Sequence, residues 1–177
     1  MIRKFKNDGR HYYFLTDHDQ ILGLVSYVNL NCQLVYNYLF FIIADIERSV
    51  SEILKKHISQ NEIISKFKES EDEHLLDLSN SFQKSIEDNN DSDIFQHMYL
   101  QTVGITLKKF ISRLPNKYKP LNKYSAKFGA QGVYNLVRQK VMHPVRPILS
   151  DNKSINQIDE LLNDYIEIKN ITEGTTS

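Results

Sequence analysis

The chain is poor in cysteine and, through its middle, has no acid at all. Its 177 residues include one cysteine, Cys32, so no internal disulfide can form. That suits a reducing compartment. Long hydrophobic runs are missing too. The most apolar stretch, LVYNYLFFII over 34–43, is followed by Asp45; a bilayer span needs roughly 20 apolar residues. No signal peptide opens the chain. No repeat recurs, and no set of His, Cys and acidic residues has metal-ligand spacing. His11, His18, His57, His74 and His97 are scattered. These absences lead us to expect a cytoplasmic protein with no membrane contact, no metal and no cofactor.

A hydrophobic content of 41% is enough for a real core in a single domain. The net charge of zero hides a segregation. Between Ile94 and Ser150 there are ten basic residues: Lys108, Lys109, Arg113, Lys117, Lys119, Lys123, Lys127, Arg138, Lys140 and Arg146. Ten acids lie between Glu62 and Asp93, and six follow from Asp151 onward. A basic block between two acidic ones points to an anionic partner. Alternatively, the blocks neutralise one another across packed helices.

Periodicity predicts an all-α bundle of about five helices behind a short N-terminal β-hairpin. YYFLT and ILGLVSY flank the polar DHDQ, a hairpin signal within residues 1–31. A helical domain should cover 32–169 and a disordered tail 170–177. The first helix is expected over about 32–58 with an Asn cap, since Leu34, Val35, Leu39, Ile42, Ile43, Ile46, Val50, Ile53 and Leu54 recur at helical spacing. A second should run over 62–82, with SIEDNNDSD (85–93) as a loop. A third lies within 94–114, and PNKYKPLNKYS (115–125) is a connector. A fourth should span 125–142, with Gly129 and Gly132 inside it, and a fifth 155–168, opened by a Ser154–Gln157 capping box.

The motif-bearing stretch is VRQKVMHPVRP (137–147). Proline disfavours helix in the residue before it, so the fourth helix should end near His143. Arg138 is five positions earlier, ~7.5 Å along the axis and about 140° round it. The two side chains do not share a face of a regular helix. Either the terminal kink swings His143 round, or a second copy of the chain completes the site. Basic residues in a last turn also simply complement the helix dipole.

An arginine, four residues and a histidine near the end of a late helix in an α-bundle resembles the signature of HEPN domains. Here it reads Arg138, Gln139, Lys140, Val141, Met142, His143. The continuation HPVRP (143–147) and the first-helix stretch LFFIIADIERSV (39–50), with Glu47 among apolar residues, are similar to that family as well. The likeness covers roughly 33–168. A second, fragmentary likeness links 14–31 to the closing part of a CBS repeat. Ser26 and Asn29 stand at its ribose-binding positions, and the usual aspartate is missing. We therefore read this segment as a structural hairpin used in dimer contacts, with nucleotide sensing as the alternative.

The HEPN likeness implies metal-independent RNA cleavage at a composite site in a homodimer, plausibly in a toxin or antiphage role with an antitoxin or regulatory partner. His143 would move the 2′-OH and leaving-group protons, since imidazole titrates near working pH. Arg138 would clamp the phosphate through paired hydrogen bonds. Gln139 stands where the family usually has Asn, Asp or His, and would support the clamp. Glu47 would orient Arg138, or is a helix-surface carboxylate with no special partner. Lys140, Arg146 and Lys127 would bind neighbouring phosphates. Of the aromatics interleaved with the basic block, Tyr118 and Tyr124 are the candidates for stacking on RNA bases. The alternative is a non-catalytic module of the same type that binds RNA or nucleotides, or serves as a dimerisation scaffold.

Overall fold

A computed structural model describes residues 2–10, 12–88, 93–143 and 147–174. The chain opens with a short helix, α1 (Ile2–Asp8), which the periodicity did not reveal. The hairpin follows, pairing β1 (Tyr12–Asp17) with β2 (Gln20–Ser26) antiparallel. His18 and Asp19 form its two-residue turn, both at positive φ (41° and 67°). Such a turn matches the twist of the flanking strands. The register pairs Phe14 with Leu24 and Tyr13 with Val25, and slips between Leu15 and Thr16. Tyr13 and Val25 turn inward; Tyr13 packs edge-on against Phe5 of α1, with ring centroids 5.0 Å apart.

The long helix α2 (Gln33–His57) lies where the apolar spacing predicted it, and it forms the centre of the bundle. Its buried stripe is Tyr36, Leu39, Ile42, Ile43, Ile46, Val50, Ile53 and Leu54. The expected Asn cap is not there. Cys32 stands at the cap position and makes no capping bond. Asn31 instead exchanges two 2.8 Å hydrogen bonds with the backbone of Leu149, fastening the start of α2 to the segment before the last helix. Ser26 and Asn29 are also occupied with each other. The Asn29 carboxamide oxygen accepts from the Ser26 amide and hydroxyl, both at 2.8 Å.

The predicted second helix is two, α3 (Gln60–Lys68) and α4 (Glu73–Glu87). Each has its own cap: Ser59 with Glu62 in a reciprocal box, and Asp72 accepting from His74. The break falls at the polar Glu69–Asp72 run, where Asp72 supplies the N-cap that starts a new helix. Helix α5 (Leu100–Phe110) lies within the expected window.

The connector is not a loop, and the fourth helix starts later than predicted. Asn116–Phe128 winds as a 3-10 helix, and α6 covers only Val133–Met142. Gly129 and Gly132 lie between the two. A Cβ on Gly132 would sit 2.2 Å from the Lys127 carbonyl oxygen, so only glycine lets the chain turn that tightly.

The last helix, α7 (Asn152–Glu173), is longer than expected at both ends. Its reciprocal cap is Asp151 with Ser154, so Ser154 is inside the helix rather than at its start. Residues 170–173, expected in a disordered tail, complete it, and Gly174 ends it at φ 73°. Residues 175–177 lie outside the described residues. Among the described residues no helix is long and apolar enough to cross a membrane.

Candidate functional site

Helices α2 and α6 pack together and hold an open groove of about 420 Å³ between them. Arg138 lines it from α6. Glu47, Arg48, Glu52 and Lys55 line it from α2, and Asp93 and Gln96 close one end. Arg48, Glu52 and Lys55 recur three to four apart and Glu47 adjoins Arg48, so they line one side of the helix. Glu47 sits one turn past Ile43, on the border between the buried stripe and water. Burial pushes its carboxyl above the ordinary glutamate range, and the positive charge of Arg138 opposes that rise. Lys55 pairs with Asp93, whose carboxylate also accepts from the Phe95 amide at 3.0 Å.

Gln139 and Lys140 face elsewhere. They line a second depression, of about 370 Å³, with Leu136, Asp151, Lys153, Ser154 and Gln157. Lys140 is half-buried there and donates to the Ile148 carbonyl at 3.4 Å. Gln139 therefore does not support Arg138 within one chain, and Lys140 does not share its groove. The rotation of the helix explains both: successive residues are set about 100° apart.

His143 caps α6 with non-helical backbone (φ −122°, ψ 75°) and an amide bonded to the Lys140 carbonyl. Its side chain is exposed, and it lines neither depression. The chain thus leaves the helix at His143 without carrying the ring back over Arg138's groove. Arg146, with Pro144 and Val145, lies outside the described residues. Among the described residues no group of three or more His, Cys, Asp or Glu is placed to hold a metal ion.

The aromatic candidates for RNA stacking are core residues. Tyr118 is 6% exposed and Tyr124 2%. Tyr118 packs against His57, and the Tyr124 hydroxyl donates to Glu167 at 2.5 Å. Burial and that carboxylate together push the Tyr124 phenol up to about 12. The signal was present in the sequence: Tyr118, Leu121 and Tyr124 are spaced by three, the period of a 3-10 helix, and they line its inner edge.

Lys127 is also committed to the fold. Its ammonium pairs with Asp164 at 2.6 Å and Glu160 at 2.7 Å on α7. Two more of the ten basic residues are paired in the same way, Arg113 with Glu62 and Lys123 with Glu167. Segregation along the sequence becomes pairing in space, because the acidic and basic helices are neighbours. Arg48, Glu52 and Lys55 were not foreseen as groove residues. As charges on a helix face they look like solvated surface until a second helix is laid beside them.

Comparison with protein-family models, with curated proteins and with solved structures finds no match to this chain. A functional reading rests on the residues and their arrangement.

Proposed function

We propose that the protein is a metal-independent endoribonuclease of HEPN type, working as a homodimer on RNA in the cytoplasm, in a toxin or antiphage setting. The observation that carries this reading is the state of its two motif residues. Arg138 is held beside Glu47 in an open groove, and His143 is exposed at the helix end, so each is reachable by a substrate. In one protomer they do not converge, which is what a site shared between two copies requires.

In this reading His143 accepts the proton of a 2′-OH as that oxygen attacks the adjacent phosphorus. The bond to the 5′-oxygen breaks, and an imidazolium returns a proton to the leaving oxygen. Arg138 holds the phosphate oxygens as charge builds on them, a role suited to a group that stays protonated. Glu47 sets the direction of the guanidinium.

The test is cleavage of a mixed single-stranded RNA pool in EDTA. Wild type should cut; His143→Ala and Arg138→Ala should each lose at least about 100-fold, the usual scale for an acid–base group, with unchanged circular dichroism. Equal activity in wild type and His143→Ala removes the histidine from the mechanism.

The commitment of Arg113, Lys123 and Lys127 to ion pairs within the fold favours a second reading, a non-catalytic module of the same type that acts as a dimerisation scaffold. It predicts no cleavage by wild type and RNA binding with little dependence on salt.

A further inference from the structure

Two of the most exposed apolar surfaces in the chain belong to one stretch of sequence. On the hairpin's outer face stand Tyr12, Phe14 and Leu24; on the outer side of α2 stand Leu34, Tyr38 and Phe41. All six are between 53% and 77% exposed. The hairpin residues share a face because Phe14 pairs with Leu24 and Tyr12 is two positions away, its ring 5.9 Å from that of Phe14. The helix residues share a face because they are spaced i, i+4, i+7. Tyr38 and Phe41 line a depression with Asp45, Arg48 and Tyr165, and Arg48 also lines the Arg138 groove.

A two-stranded hairpin is marginal unless its apolar face is covered. This one is apolar on both faces, since Tyr13 and Val25 already fill the inner one. Both of its strands also have a free edge. The four aromatic rings of this surface, at about 200 Å² each, leave on the order of 500 Å² uncovered. The two leucines add on the order of 200 Å², at roughly 100 Å² each. A standard interface takes about 800 Å² from each partner.

We infer that a second copy of this chain covers this surface, through the hairpin's outer face and the first two turns of α2. The order of residues along α2 fits a self-complementary contact. Leu34, Tyr38 and Phe41 are followed on the same side by Asp45, Arg48 and Glu52. A two-fold axis near Tyr38 sets Leu34 against the partner's Phe41 and leaves all three charged residues outside the apolar contact, as an isologous interface requires. The zero net charge lets two copies approach without long-range repulsion. The inference deepens the composite-site reading by naming the surface that unites two groove-bearing helices, but its test involves no RNA.

The test is sedimentation velocity of the full chain at 5–100 µM (about the range that separates weak from stable dimers), on wild type, Phe14→Arg, Phe41→Arg and His143→Ala. Wild type and His143→Ala should sediment as dimers. Each Arg variant should sediment as a monomer at the same concentrations, with unchanged circular dichroism. If an Arg variant unfolds, Phe14→Ser or Phe41→Ser replaces it with the same expectation. A monomeric wild type overturns the inference, and so does flotation of that monomer with anionic vesicles, which would assign the surface to a membrane. A folded Phe14 or Phe41 variant that stays dimeric overturns it as well, while leaving a composite site built through some other surface intact.

Discussion

Arg138 of α6 and Glu47 of α2 line the same groove, and the charge of the arginine is felt at the glutamate carboxyl. They are 91 positions apart in sequence. The packing of α6 on α2 brings them together, and it gives the only motif arginine a partly buried acid beside it.

The pH dependence of that acid is the first prediction. Burial raises the Glu47 carboxyl more than Arg138 lowers it. The folded chain therefore keeps the proton to higher pH than the unfolded chain does. The stabilising contribution is complete below the ordinary glutamate value and is lost as pH rises through the higher folded value. Glu47→Gln removes the titration. Its urea midpoint should gain on that of wild type between about pH 4 and pH 8. A gap that narrows over that range contradicts the account.

Complementation tests the shared site. Arg138→Ala and His143→Ala are each expected to be inactive as homodimers. Mixed and allowed to exchange, they should recover up to about a quarter of wild-type cleavage, if half the dimers are mixed and each mixed dimer rebuilds one of two intact constellations. This arithmetic assumes that the acid–base group and the clamp are drawn from different copies. No recovery after proven exchange means that both residues act from one chain.

Asp164 anchors the 3-10 segment and α6 to α7. Its Oδ2 accepts from the Tyr134 hydroxyl at 2.8 Å and pairs with Lys127 at 2.6 Å. Burial, followed by the charge of Asp164, drives the Tyr134 phenol far above the usual tyrosine range. Asp164→Ala leaves a buried hydroxyl and a half-buried ammonium without this partner. It should lose about 2–4 kcal/mol in urea unfolding, and Asp164→Asn less. RNA affinity should not follow Lys127→Met, because that lysine already holds two carboxylates.

Gly104 in the middle of α5 meets the 3-10 helix directly. A Cβ there would lie 2.3 Å from the Phe128 Cβ. Alanine is normally the better helix former by about 1 kcal/mol. Here Gly104→Ala should instead destabilise by about 1–3 kcal/mol through overpacking. An increase in the urea midpoint would show that the two elements can part without cost.

Several features were legible in the sequence, each for a local reason. The hairpin announced itself through β-rich runs around a polar turn. Helix α2 did so through nine apolar positions at helical spacing, and α6 through the proline that ends it. Gln139 and Lys140 were misplaced beside Arg138, because adjacency in sequence hides the roughly 100° between successive helix residues. The aromatic connector was misread because tyrosines among lysines look exposed. In Asn116–Phe128 the three-residue period turns Tyr118 and Tyr124 inward while the lysines remain at the surface.

What the sequence by itself determined is what depends on neighbours along the chain: element type, the caps at Ser59 and Asp72, the end of α6, and the presence of an arginine and a histidine about one and a half turns apart. Tertiary structure alone decided which charges meet. Lys127 finds Asp164 and Arg113 finds Glu62, and Arg138 comes to share a groove with Glu47, only after helices far apart in sequence have packed. The apolar periodicity drives that packing through burial, which is non-directional. It fixes which faces turn inward but carries no record of which acid will stand opposite which base.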